Sequence, residues 1–88
     1  MSDRIFYYQD TSECDFVIQR NGHVDELIQV TWDMSDYYTR EREINGILEA
    51  SKATGCDKLT IVTVDEEANL LRDDKSIKVV PAWKWLLN

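Results

Sequence analysis

Apolar and polar positions alternate at the start of the chain and fall on a helical period in its middle. Ile5-Phe6-Tyr7-Tyr8 is a short aromatic and β-branched run that predicts a strand. Asp10-Thr11-Ser12 predicts a turn after it. Cys14 to Gln19 predicts a second strand, Asn21-Gly22 a hairpin turn, and Val24 to Trp32 a third strand. Ser35 offers a helix N-cap, with Asp36 in the first turn. From Tyr37 to Thr54 the apolar residues Tyr37, Ile44, Ile47, Leu48 and Ala53 follow helical spacing, with Gly55 as the C-terminal cap. Arg40, Glu41, Arg42, Glu43, Glu49 and Lys52 make the solvated face of that helix. Gly46 in its middle predicts a close packing contact, since glycine there costs about 1 kcal/mol relative to alanine.

Leu59 to Val64 is β-branched and mostly apolar, the pattern of a strand buried on both faces. Asp65 to Asp74 reads as an acidic, exposed connection. Ile77 to Val80 predicts one more strand, and Pro81 opens a short terminal helix over Ala82 to Leu87. The expected order is β-β-β-α-β-β plus a stub helix. It describes an α/β (α+β) domain with a mixed β-sheet, in which the main helix is a right-handed crossover between parallel strands.

The first Asn-Gly turn admits two registers. A two-residue loop would set Ile18 opposite Asp25 and Asp15 opposite Ile28, both poor pairs. A three-residue loop, Asn21-Gly22-His23, sets Phe16 opposite Ile28, Val17 opposite Leu27, Cys14 opposite Val30 and Asp15 opposite Gln29. Like then meets like, so the second register is preferred. It gathers Glu13, Asp15, Gln29 and Thr31 on one face at one end of the hairpin.

Length and charge narrow the function. With 88 residues the chain makes a single domain, residues 1–88, with a marginal core. It contains no phosphate-cradling glycine loop. A formal charge of −7 works against nucleic-acid binding by electrostatics alone and against an anionic membrane. Apolar runs fall short of the roughly 18–20 residues that span a bilayer. Met1-Ser2-Asp3-Arg4 is not a signal peptide. Two cysteines, Cys14 and Cys56, suit small core positions in a reduced, cytoplasmic setting better than a disulfide scaffold. His23, the only histidine, reads as a solvated turn residue.

Asp15 opposite Gln29, with Glu13 upstream, presents oxygen donors of the kind that hold Mg²⁺. Nucleases use such an ion to activate water and stabilise the displaced phosphate. A polar patch at a strand end is the plainer alternative. Thr31 stands where a lysine would be needed to stabilise developing negative charge. Trp83 and Trp85, two residues apart, point to different sides, one to cover the core and one to meet a partner.

These residues resemble the C-terminal restriction-endonuclease-like (PD-(D/E)XK) domain of uncharacterised prokaryotic AAA-type ATPases. The resemblance is carried by Ile5-Phe6-Tyr7-Tyr8, Glu13-Cys14-Asp15-Phe16-Val17-Ile18, Leu27-Ile28-Gln29-Val30, Arg40-Glu41-Arg42-Glu43-Ile44 and Val79 through Leu87. It covers essentially the whole chain. It implies a nuclease-like core lacking its first helix, cut from the C-terminal end of a larger ATPase. Asp15 then matches the metal-binding aspartate and Gln29 the E/Q of (E/Q)-x-K, while Thr31 departs from the lysine. The expected function is a catalytically degenerate module that acts in interactions or assembly, without enzymatic activity of its own.

A bare sheet face implies a homodimer, with Phe6, Tyr8, Trp83 and Trp85 as candidate interface residues. Two alternatives stand beside it. One is an active metal-dependent nuclease in which Lys58 or Lys84 replaces the missing lysine. The other is a free-standing dimeric adaptor without a nucleic-acid role.

Overall fold

The computed structural model describes residues 4–7 and 16–87. Among these described residues, six strands form one mixed sheet in the order β1-β2-β3-β4-β6-β5. They are β1 (Arg4–Tyr7), β2 (Phe16–Arg20), β3 (His23–Val30), β4 (Leu59–Thr63), β5 (Ala68–Arg72) and β6 (Lys75–Pro81). The helices are α1 (Tyr37–Thr54), between β3 and β4, and α2 (Ala82–Leu87), after β6. The first three strands pair antiparallel, β3 with β4 and β4 with β6 pair parallel, and β5 closes the far edge antiparallel to β6. The domain is therefore mixed α+β, as the hydrophobic pattern predicts, with one more strand than expected.

Alternation along the central strands divides the core in two. Leu27, Leu59, Ile61, Ile77 and Val79 face α1 and bury against Ile44, Ile47, Leu48 and Ala50, with Met34 and Cys56 closing the ends. Ile28, Val62 and Val80 point to the other face, where Ile18, Ala82 and Trp85 pack on them. All five residues of β4 are buried, which fits its unbroken apolar run.

The helix α1 has the expected bounds, and Gly55 closes it at φ 75°, where its N–H donates to the Ser51 carbonyl. Its N-cap is Asp36 and not Ser35: the Asp36 carboxylate accepts from the Thr39 N–H at 2.9 Å. Ser35 is otherwise engaged, since its N–H and hydroxyl both donate to Asp33. The buried stripe of α1 runs through Ile44, Ile47, Leu48 and Ser51. Ala53 lies off that stripe and is exposed. Tyr37, at the first helical position before the stripe begins, is exposed too and meets Tyr38 edge to face.

The second hairpin combines both registers. Phe16 pairs with Ile28, Val17 with Leu27 and Ile18 with Glu26, as the apolar matching requires. Beyond Ile18 the pairing shifts, so that Gln19 meets Val24 and Arg20 meets His23. The loop is thus two residues long, with Asn21 at φ 56° and Gly22 at φ 82°. That is the type I′ geometry favoured by right-handed strand twist. A bulge on β3 at Asp25 reconciles the tight turn with the core register. His23 accordingly opens a strand instead of sitting in the turn.

The connection Asp65 to Asp74 contains β5. Ala68, Leu70 and Arg72 are partly buried, while Asn69 and Leu71 face solvent. Its turn is Asp73-Asp74, both at positive φ (51° and 63°), a conformation aspartate tolerates but that carries no glycine to announce it. At the other end of the hairpin, Pro81 is the last residue of β6 instead of the first of a helix. The third strand stops at Val30, two residues before Trp32.

Candidate functional site

The residues that the resemblance singles out divide into two groups. Glu13 and Asp15 lie outside the described residues, as do Cys14 and Tyr8. For Phe6 only the backbone placement is described, opposite Val17.

Gln29 sits in the parallel register with Ile61 of β4 and, by alternation, on the face covered by α1. It is 1% exposed. Its amide Nε2 donates to the Glu43 carboxylate at 2.6 Å, reaching across from strand to helix. The amide orientation follows from that partner, because the flipped amide would set oxygen against oxygen. Its Oε1 is buried and accepts no hydrogen bond among the described residues. Glu43 is itself largely buried and also meets the Arg42 guanidinium at 3.5 Å. Glu43 therefore belongs to the site and not to the solvated helix face. Sequence spacing carries no signal of this, because the contact joins residues brought together by a crossover.

An amide oxygen and a carboxylate are the donor types a hard cation takes. They are too few here: the described residues contain no group of three or more metal-ligating side chains. The Glu43 oxygen nearest Gln29 is already used as its acceptor. Gln29 and Glu43 by themselves do not compose a Mg²⁺ site.

Thr31 donates its backbone N–H to the Val62 carbonyl at 2.9 Å, just past the end of β3. Neither proposed substitute for the missing lysine reaches this region. Lys58 alternates with Leu59 onto the opposite face of the sheet from Gln29, where it pairs with Glu26 at 3.9 Å. Lys84 lies on α2, the helix packed on that same opposite face, and pairs with Glu67. Trp85 packs half-buried on Val80 and its neighbours, whereas Trp83 is 60% exposed. Trp85 thus covers part of the core and Trp83 does not.

Among the described residues, concave regions also lie outside the Gln29 neighbourhood. One is an open groove of about 510 Å³ on the face opposite α1, beside Trp85. Its floor is a cross-strand row, Thr60, Lys78 and Asn69, with Glu26 bonded to the Thr60 hydroxyl at 2.8 Å. This is the part of the second face that α2 does not reach. Another is a smaller cleft of about 190 Å³ at the ends of β3 and β4, formed by Val30, Thr31, Trp32, Val62, Thr63, Val64 and Ala82. Its lining is almost wholly apolar.

Cys56 is buried, and burial pushes its thiol pKa up, which suits a core residue and not a nucleophile. His23 is exposed at the start of β3. Among the described residues no helix is long and apolar enough to cross a membrane.

Comparison with known protein families, with curated proteins and with solved structures finds no match.

Proposed function

We propose that the chain is a catalytically degenerate, nuclease-like module that works by interaction, in the company of a prokaryotic AAA-type ATPase domain. The restriction-endonuclease-like core is part of this proposal. Its support is the element order, an antiparallel three-strand meander followed by a helical crossover to a parallel strand.

One observation carries the loss of catalysis. Thr31 supplies a neutral hydroxyl where a cation would be needed. The Gln29 amide gives its Nε2 to Glu43, which leaves Oε1 as the atom that would face a metal in an active relative. Lys58 and Lys84 are engaged by carboxylates and belong to the other side of the sheet.

Incubation of the full chain with supercoiled plasmid and Mg²⁺ or Mn²⁺ tests the reading. The expected result is no cleavage above a metal-free control. Cleavage that disappears in Asp15→Ala would establish the active nuclease instead. A homodimer belongs to the same proposal. Sedimentation velocity measures the mass directly, and a monomer removes that part of the proposal.

A further inference from the structure

We propose that the apolar cleft at the ends of β3 and β4 is a docking site for a basic peptide segment of a partner protein, anchored by one apolar side chain. This rests on the reading of the chain as an interaction module and names the surface and the partner chemistry.

The cleft is built where the parallel strands end. Val64 donates its N–H to the Trp32 carbonyl at 3.3 Å, and this bond joins the two segments beyond β3 and β4 into one lip. Ala82, at the start of α2, closes the other side. Its volume of about 190 Å³ falls below the roughly 300 Å³ at which small-molecule pockets begin. That size suits a single inserted side chain. Trp32 stands over it with 81% of its surface exposed. Tryptophan is enriched among the residues that carry most of the binding energy at protein interfaces, and this one is displayed beside an apolar depression.

Charge selects the occupant. The segments 30–38, 62–68 and 81–87 that surround the cleft carry Asp33, Asp36, Asp65, Glu66 and Glu67, with Lys84 as their only cation. Lys84 is itself paired with Glu67. Glu66 and Asp36 are partly spent on backbone N–H groups of Met34 and Thr39. Asp33 and Asp65 follow directly after the lip residues Trp32 and Val64, and both are exposed, although Asp33 also accepts from the Ser35 N–H and hydroxyl. A second copy of this chain, at −7, would bring more negative charge to this rim. An apolar side chain flanked by lysine or arginine fills the cleft, meets the carboxylates and can stack a guanidinium on the Trp32 ring.

The test is selection of short random peptides displayed on phage, with the full chain as bait. Binding of the synthesised winners is then measured by titration followed in nuclear magnetic resonance spectra. The expected winners carry basic residues around one apolar or aromatic position, and they shift the Trp32 indole and Val64 signals. Their affinity falls at least about tenfold in Trp32→Ala. It also falls several-fold in Asp33→Asn/Asp65→Asn and on raising salt beyond the Debye regime. Both variants change exposed side chains, and circular dichroism checks that they remain folded.

Four results overturn the proposal: no enrichment; winners without basic residues; winners that bind Trp32→Ala as tightly as the parent; or self-association of the chain that Trp32→Ala abolishes. Plasmid cleavage together with a basic, Trp32-dependent winner would sink the degenerate-module reading and leave the cleft intact. No cleavage and no winner would do the reverse.

Discussion

Gln29 shows how much one side chain can decide. In the sequence it is a polar residue at the end of an amphipathic strand. In the structure it is sealed under α1 with its Nε2 on Glu43 and its Oε1 without a partner among the described residues. A buried amide half-satisfied in this way costs stability relative to a fully bonded one. Gln29→Glu sharpens the point. It would set two carboxylates within hydrogen-bond distance in a largely buried place, where they cannot both be ionised. The variant is expected to lose about 2–4 kcal/mol at neutral pH. Urea titrations of the parent, of Gln29→Glu and of Gln29→Glu/Glu43→Gln check it: a deficit that the second substitution does not relieve would show that Glu43 is not the cause.

At the scale of elements, local chemistry and packing agree along α1. Asp36 caps its first turn and Gly55 ends it in the left-handed conformation. Each makes a measurable contribution to an exposed part of the helix. Asp36→Ala is expected to cost about 1 kcal/mol through the orphaned Thr39 N–H. Gly55→Ala is expected to cost about 1–2 kcal/mol, wholly from backbone strain, since a Cβ there meets no atom within 4 Å. Thermal unfolding of the two variants separates these effects, and Ser35→Ala serves as the control with a much smaller change. If Ser35→Ala matched Asp36→Ala, the cap assignment would be wrong.

The hairpins teach a complementary lesson. Asn21-Gly22 was legible as a turn, and the apolar pairs Phe16–Ile28 and Val17–Leu27 were legible as a register. The bulge that lets both be true was not, because it balances turn geometry against core packing. The β5–β6 hairpin carries little signal in the sequence because its turn is two aspartates and its edge strand needs only one sheltered face.

The whole molecule is held at its β5 edge by charge as well as by packing. Arg72 and Lys75 flank the Asp73-Asp74 turn and reach back to the helical layer. Arg72 forms a fork on Glu41 of α1, at 3.0 and 3.1 Å. Lys75 donates to Asp57 and to the Ser51 hydroxyl, each at 2.8 Å. The hydrogen-bonded guanidinium holds the Glu41 carboxyl below its ordinary pKa, and the Lys75 ammonium does the same for Asp57. A carboxylate whose pKa is lowered by folding stabilises the fold above its unfolded pKa, and that contribution is lost as pH falls through the lowered value. The hairpin should therefore loosen as pH drops through about 4 and below. Hydrogen exchange at β5 amides should quicken there before exchange at β4 does. Arg72→Gln/Lys75→Gln should make β5 exchange fast already at neutral pH and flatten its acid dependence. Unchanged acid dependence in the double variant would show that other carboxylates control this edge. Added salt should mimic the loss in part, because both pairs are partly solvent-exposed.

The sequence by itself determined what depends on neighbours along the chain. Helix α1 was legible from its period and its Gly55 cap, and β4 from its unbroken β-branched run. The opening meander followed from alternation around Asn21-Gly22. The unequal burial of Trp83 and Trp85 followed from their two-residue spacing. Only the tertiary structure decided which distant groups meet. Glu43 came to Gln29 through the β3–α1–β4 crossover, Lys58 fell on the wrong face through strand alternation, and Trp32, Val64 and Ala82 became one cleft because three segments end at the same rim. The physical reason is range. Propensity, capping and alternation act over a few residues, whereas a site is made where parallel strands and a crossover helix bring residues 14 to 50 positions apart into contact.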